Sequence, residues 1–308
     1  MKNLSKLAIV VVGPTASGKS ALALSLARHF QTAIISADSR QCYRELNIGT
    51  AKPDASALAE IKHYFINSHS IHETVNAGLF EKLALAYAAE IFQHHAIAIV
   101  CGGTGLYVKA FCEGLDQIPP VPADLRRQLR INYATYGLSW LQEEVRKKDP
   151  IFYQHADTRN PHRLLRALEV REATGQSILY FQRQSPQPRP FEILKIGIQL
   201  PRAVLHQRIA ARVEQMVHAG LFEEAAALQA FRNHPALQTV GYQEVFAWME
   251  RKYTREEAVR QIIFHTRQYA RRQLTWFRRD PEICWFNHTD AAREVIQLVA
   301  RKLSDLKA

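Results

Sequence analysis

The stretch Gly13-Pro14-Thr15-Ala16-Ser17-Gly18-Lys19-Ser20 has the residue types and spacing of a phosphate cradle. Its glycines permit a tight turn and let main-chain N–H groups approach phosphate oxygens. Lys19 adds a full positive charge, and the Ser20 hydroxyl is placed to sit on Mg2+. An apolar run at 7–12 precedes the loop and a helical pattern at 20–30 follows it, so a helix dipole favours the same anion. A purely structural glycine turn is the alternative, and the strand–loop–helix context argues against it. The signal speaks for phosphate and is silent about the reaction. A nucleotide hydrolase of this kind usually carries a Mg2+-holding aspartate at the end of a later strand. Here the apolar run 96–100 leads instead into Cys101-Gly102-Gly103-Thr104-Gly105-Leu106-Tyr107, with no carboxylate. That loop is either a tight strand-to-helix turn or a second ligand-facing loop.

Asp38, in Ala37-Asp38-Ser39-Arg40-Gln41, follows the apolar run 33–36 and so belongs at the same sheet edge as the first loop. A carboxylate there could hold Mg2+ through water, bind a ribose, accept a proton from an attacking group, or cap a turn. Arg208 and Arg212 stand four apart on a helical pattern and share a face. They serve either to stabilise a diphosphate or as a solvated basic face.

The elements that must position these groups alternate. Val- and Ile-rich runs at 7–12, 33–36 and 96–100 read as buried parallel strands, and helical patterns at 20–30 and 79–95 lie between them. The expected fold is α/β, a P-loop NTPase-like core with a parallel sheet plus an inserted all-helical domain. The insertion is bounded by Pro119-Pro120-Val121-Pro122 and by Ser185-Pro186-Gln187-Pro188-Arg189-Pro190. The domains are therefore 1–118, first part of the core; 119–190, helical insertion; and 191–308, second part of the core. A strand at 193–200 rejoins the sheet, helices follow at 202–219, 222–231, 243–251 and 255–279, and 283–286 adds a last strand before a C-terminal helix.

The chain has 308 residues, 47% hydrophobic and 22% charged, the composition of an ordinary soluble globular protein. Cys42, Cys101, Cys112 and Cys284 form no CxxC pair, which suits a reducing cytosol, and the histidines show no paired metal spacing. Lys2 and Lys6 before the first apolar run imitate a signal peptide, but the run is too short for one. No stretch is long enough to span a membrane, and a cytoplasmic location is expected. The net charge of +11 is concentrated. Residues 119–190 hold 12 Lys/Arg against 7 Asp/Glu, net +5, and residues 251–280 hold 9 against 3, net +6. Two basic segments on an otherwise neutral chain point to a polyanionic partner, nucleic acid above all.

In the second segment, Arg260, Arg267, Arg271 and Arg278 fall at spacings of 7, 4 and 7 on one helix face. Val259, Ile263, Ala270, Leu274 and Phe277 form an apolar stripe beside them. Arg272, Arg279, Gln273 and Trp276 widen the polar or stacking surface, suited to single-stranded loop bases and phosphates. A solvated helix is the alternative. Arg163 and Arg166 in the insertion suggest a second gripping face, and Gly241-Tyr242 a turn whose tyrosine either stacks on a base or packs in the core.

Taken together, GPTASGKS at 13–20, DSRQCY at 38–43, IGTAKP at 48–53 and GGTGLY at 102–107 resemble the tRNA dimethylallyltransferases (tRNA isopentenyltransferases). So do NPHRLLRALE at 160–169, GLFEE at 220–224, VGYQE at 240–244 and TRQYARRQLTWFR at 266–278, in the same order across nearly the whole chain. The resemblance, to the bacterial type, implies that Asp38 is the general base and Thr104 a contact to the reacting adenosine. It implies dimethylallyl diphosphate as donor and the tRNA anticodon stem-loop as acceptor, on a chain expected to be monomeric. On this reading Lys19 is expected to act in catalysis, and Gly13 to Ser20, with Arg208 and Arg212, are expected to hold the diphosphate, with Mg2+ at Ser20. The resemblance further implies tRNA contacts at Asp38, Ser39, Arg40, Gln41, Thr104, Arg126, His162, Arg163, Leu164, Leu165 and Arg166, to which the reading of the residues themselves adds Gly241, Tyr242, Arg267, Arg271 and Arg272 as expected contacts. Two other activities share parts of this pattern: adenylate isopentenyl transfer to free nucleotide, and non-catalytic RNA binding on a nucleotide fold.

Overall fold

The computed structural model describes residues 6–182 and 186–305; Lys2 and Ser185 lie outside them. Leu7–Val12 forms β1, and all of it is buried. A strand with no polar residue must sit inside a sheet covered on both faces. Accordingly β1 lies between β4 (Ile97–Gly102) and β5 (Glu192–Gln199) and runs parallel to both. β2 (Ile34–Ser36) pairs with β4 and with β3 (His63–Tyr64), and β6 (Cys284–Asn287) pairs with β5, all parallel. Among the described residues the sheet order is β3-β2-β4-β1-β5-β6. The edge strand β3 has no signal in the sequence: two residues are too few to show a period.

Helix α1 (Lys19–Phe30) follows β1, and α2 (Ala55–Glu60), α3 (Ala77–His94) and α4 (Gly105–Glu113) complete the first part of the core. After β5 come α8 (Arg202–His218), α9 (Leu221–Ala227), α10 (Tyr242–Met249), α11 (Arg255–Phe277) and, past β6, α12 (Ala291–Asp305). Leu7, Ile9 and Val11 alternate onto one sheet face, where they share a core with Leu22 and Leu26 of α1 and Val295 and Val299 of α12. The helix expected at 222–231 is two pieces, α9 and a short 3-10 turn at Gln229–Phe231.

The chain divides into two compact units, Met1–Glu113 with Pro188–Ala308, and Gly114–Gln187. The second unit opens before the proline run expected to bound it, because its ends are tied: Gln187 Nε2 donates to the Leu115 carbonyl at 3.2 Å. Within it, α5 (Ala123–Lys148), α6 (Pro150–His155) and α7 (Pro161–Thr174) surround Leu129, Leu141, Val145, Leu164 and Leu168. No strand occurs among its described residues.

The loops after β2 and β4 are stitched together by their main chains. Ala37 N donates to Cys101 O at 2.8 Å, and Thr104 N donates to Ala37 O at 3.2 Å. The crossing is so close that a Cβ on Gly102 would stand 2.1 Å from the Ala37 carbonyl oxygen. Backbone cannot yield as a side-chain tip can, so Gly102→Ala should destabilise the protein by about 2 kcal/mol or more. A urea midpoint equal to that of the parent would show that the two loops can separate at no cost.

Candidate active site

The loop after β1 turns sharply into α1. Gly18 adopts φ 99 and the non-glycine Ala16 φ 63, both left-handed. Lys19 Nζ donates back to the Pro14 carbonyl at 3.2 Å, and Arg208 Nη1 reaches the Ser17 carbonyl at 3.4 Å from α8. Burial is the main force lowering the pKa of Lys19, with Arg212 adding to it and Cys101 and Asp38 opposing. Arg212, also from α8, is lowered by burial and supported by Asp38. Among the described residues neither Lys19 nor Arg212 has an ion-pair partner within 4.0 Å. Two desolvated cations near one another make a site complementary to an anion.

Across from them stands Asp38. Its Oδ1 accepts from Arg40 N at 2.8 Å and Gln41 N at 3.3 Å, closing a turn. Its Oδ2 has no hydrogen-bond partner among the described residues, so the carboxylate is both a turn former and an available acceptor. Thr104 Oγ1 accepts from Ser39 N at 3.0 Å, which joins the β2 and β4 loops a second time. Lys19, Ser20, Thr15, Asp38, Arg40 and Gln41 all line one cavity of about 140 Å3 at the carboxyl edge of the sheet. Thr104 is not in its lining; it stands one residue away, on Ser39.

The far wall is α11, and here the sequence reading needs correction. Ile263, Ala270 and Leu274 do pack, with Leu205 and Ile209 of α8. A second stripe, Ile262, Thr266, Tyr269 and Gln273, faces the cavity. Gln273 is therefore not part of an RNA surface: it is 6% exposed and holds two loops at once. Its Oε1 accepts from Thr15 N at 2.8 Å and its Nε2 donates to Gly103 O at 2.9 Å. A Cβ on Gly103 would meet Nε2 at 2.2 Å, and one on Gly105 would meet the Trp276 ring at 2.4 Å. The second glycine loop is bare because a helix is pressed onto it. Tyr269, missed by sequence reasoning, has its pKa pushed up to about 12, first by burial and then by Asp38. The spacing of 262, 266, 269 and 273 was the signal available for this wall, but three of the four are polar.

Residues 47–49 are fixed by Glu224, whose carboxylate accepts from the main-chain N–H of Asn47, Ile48 and Gly49 at 2.8 to 3.0 Å. It also accepts from the Tyr242 hydroxyl at 2.6 Å. Tyr242 is fully buried, with Gly49 against its ring, so it is a core tyrosine and cannot stack on a loop base. Gly241 lines the cavity, and its N–H donates to Glu244 at 2.7 Å. Gln41 Nε2 donates to the carbonyls of Thr50 and Ala51, both at 3.2 Å, holding this segment to the Asp38 turn.

The arginine face of α11 is less uniform than its spacing suggests. Arg271, Arg272 and Arg278 are exposed, Arg260 is paired with Glu257, and Arg267 is half-buried with Nε enclosed. In the second unit His162 and Arg163 are exposed, and Arg126 and Arg166 share Glu169. Leu164 is fully buried and Leu165 packs partly against the same core, so their side chains support the helix rather than meet a ligand.

The family model described as IPP transferase matches residues 41–280. A tRNA dimethylallyltransferase of Cytophaga hutchinsonii is 44% identical over 305 residues, 99% of this chain and 100% of that protein. One from Christiangramia forsetii is 42% identical over 98% of this chain and 100% of its own length. Among solved structures, the tRNA isopentenylpyrophosphate transferase of Bacillus halodurans superposes with a TM-score of 0.72 at 33% identity, covering 98% of each chain. A eukaryotic dimethylallyltransferase acting on tRNA superposes with a TM-score of 0.78 at 25% identity, covering 98% of this chain and 80% of that one. With the family model spanning most of its length and full-length relatives above 40% identity, the chain belongs to the IPP transferase family of tRNA dimethylallyltransferases.

Proposed function

We propose that this protein transfers a dimethylallyl group from dimethylallyl diphosphate to the exocyclic amine of the adenosine just 3′ of the anticodon in tRNA. The observation that carries the reading is the charge arrangement in the cavity. Among the described residues, Lys19 and Arg212 are desolvated and have no ion-pair partner within 4.0 Å, and they share the cavity with an Asp38 that keeps one oxygen unengaged. A polyanionic leaving group fits the cations, and a proton-bearing nucleophile fits the acid. The names and lengths of the relatives supply the substrate class.

An adenine amine is a poor nucleophile, because its lone pair is delocalised into the ring. The rate must come from ionising the allylic diphosphate and from alignment. As the allylic C–O bond breaks, charge builds on the diphosphate, where Lys19, Arg212 and the loop amides oppose it. As the N–C bond forms, Asp38 takes the amine proton. Mg2+ fits the donor set here. Ser20, which lines the cavity, would hold the ion through its hydroxyl together with oxygens of the diphosphate. A bound Mg2+ would neutralise charge on the leaving group. The target base must leave its stack, a cost of a few kcal/mol that contacts remote from the amine have to offset. Arg271, Arg272 and Arg278 on α11, with His162, Arg163, Arg126 and Arg166 in the helical unit, offer such contacts. Gln273 sets the gap between the cradle and the loop of Thr104 through its two hydrogen bonds.

Asp38→Ala should cut kcat by about 10²-fold or more, with tRNA affinity little changed. Unchanged kcat with weakened binding would make Asp38 a positioning residue. Gln273→Met keeps the volume and loses both hydrogen bonds; a misplacement of about 1 Å predicts a loss on the order of 10² in kcat. Parent-like kcat in the folded variant would show that the loops hold their spacing without it. Incubation with labelled dimethylallyl diphosphate should prenylate an anticodon stem-loop at that one adenosine, with AMP a very poor acceptor at equal concentration. Equal or faster prenylation of AMP would move the assignment to a free-nucleotide isopentenyltransferase.

A further inference from the structure

Glu169 is a charged residue in the interior of the helical unit. Its side chain is 6% exposed, on the buried side of α7 with Ala167, Leu168 and Val170. Its Oε2 lies 3.5 Å from Arg126 Nε on α5 and 3.5 Å from Arg166 Nη1, one turn earlier on α7. The two cations are not buried with it: Arg126 is 41% exposed and Arg166 37%. The other unit contains an ion pair of the opposite character. Arg189 and Glu81 are 7% and 17% exposed, and Arg189 also donates to the carbonyls of Phe111 and Ala110 at 2.8 and 2.6 Å. That guanidinium is enclosed and three of its five donors are engaged inside the unit, as in a pair that holds a fold together. Arg126 and Arg166 instead turn one side to a shared carboxylate and the other to solvent. A guanidinium has five N–H donors in a planar fork, so most of them stay free. One carboxylate against two guanidinium groups also leaves net positive charge at the surface.

We propose that Glu169 is a positioning residue for RNA: from below, it holds Arg126 and Arg166 in the orientation in which their outer N–H groups meet phosphate. This rests on the reading above that the helical unit grips tRNA. Long cationic side chains lose rotamer freedom when they bind, by a factor of about 2 to 10 in affinity each. Two arginines already oriented by a fixed carboxylate lose less. The same carboxylate is negative and lies close to where phosphates would come, so its direct electrostatic effect on RNA is repulsive. Orientation and simple charge therefore predict opposite signs for its removal.

The test is binding of unmodified tRNA over a range of salt by the full-length parent, Glu169→Gln, Glu169→Asp, Arg126→Ala with Arg166→Ala, and that pair combined with Glu169→Gln. Orientation predicts that Glu169→Gln raises Kd by about tenfold although the protein gains positive charge. Glu169→Asp, which keeps the charge but shortens the reach, should weaken binding in the same direction and covers the case in which the glutamine variant fails to fold. The arginine pair should weaken binding and reduce the log–log salt slope by about 0.7 to 0.9 for each phosphate that is no longer neutralised. Adding Glu169→Gln to that pair should weaken binding no further, since the orienting role runs through the two guanidinium groups and only the repulsion of the carboxylate is then left to lose. Tighter or unchanged binding by Glu169→Gln would overturn the proposal, as would additivity in the combined variant, which marks a role in fold stability alone. Parent-like affinity and slope in the arginine pair would overturn it through its premise, and is separable because the arginines themselves would then be silent.

Discussion

Parallel strands end at one edge with their loops pointing the same way, and nothing in the sheet itself fixes the distance between those loops. In this fold the distance is set by a helix laid across them. The amide of Gln273 bonds to the β1 loop and the β4 loop together, accepting from Thr15 and donating to Gly103. An amide is suited to this, since it accepts at one end and donates at the other. A carboxylate or an ammonium could satisfy only one of the two loops. The bare glycines at 103 and 105 follow from it, because they let α11 descend until Gln273 and Trp276 touch main chain.

From that contact the remaining walls of the cavity can be ordered. The β2 loop is tied to the β4 loop through Ala37 and Thr104, so the Asp38 turn inherits its position from the same clamp. Gln41 passes it on to Thr50 and Ala51, and Glu224 anchors the start of that segment to Tyr242 on α10. Every link is polar, and most of them engage a main-chain group. The cavity is thus enclosed by long-range polar contacts, while the sheet beneath it is held by apolar packing.

This division explains what could be read in the sequence. The glycine loop, Lys19, Ser20, β1 and α1 are local features: their spacing and periodicity are complete within 24 residues, Leu7 to Phe30, and the structure places them where that pattern requires. Asp38 and Arg212 reach the cavity because strand ends and helix faces are also local information. Gln273 reads as surface because it sits among arginines on a helix with a net positive charge, and only the partner loops reveal that its face is buried. Tyr242 and Leu164 share the reverse error: a motif marks a residue as important without saying whether it meets ligand or supports the backbone that does. The bare loop at 102–105 leaves a turn and a ligand loop both open, and its cause, a helix more than 160 positions later, has no trace in the loop itself.

The cavity also carries an energetic asymmetry. Burial disfavours the charged forms of Lys19 and Arg212, and Asp38 opposes that effect at both. A protein seeking stability alone would pair these cations or replace them, since desolvated charge without a partner opposes folding. Glu169 shows that this chain does place buried carboxylates beside arginines elsewhere. An incoming polyanion would restore the balance, raise the pKa of Lys19 towards its ordinary value, and stabilise the fold by mass action as it binds. The same excess of positive charge makes the site most complementary to a leaving group at the moment its negative charge is greatest.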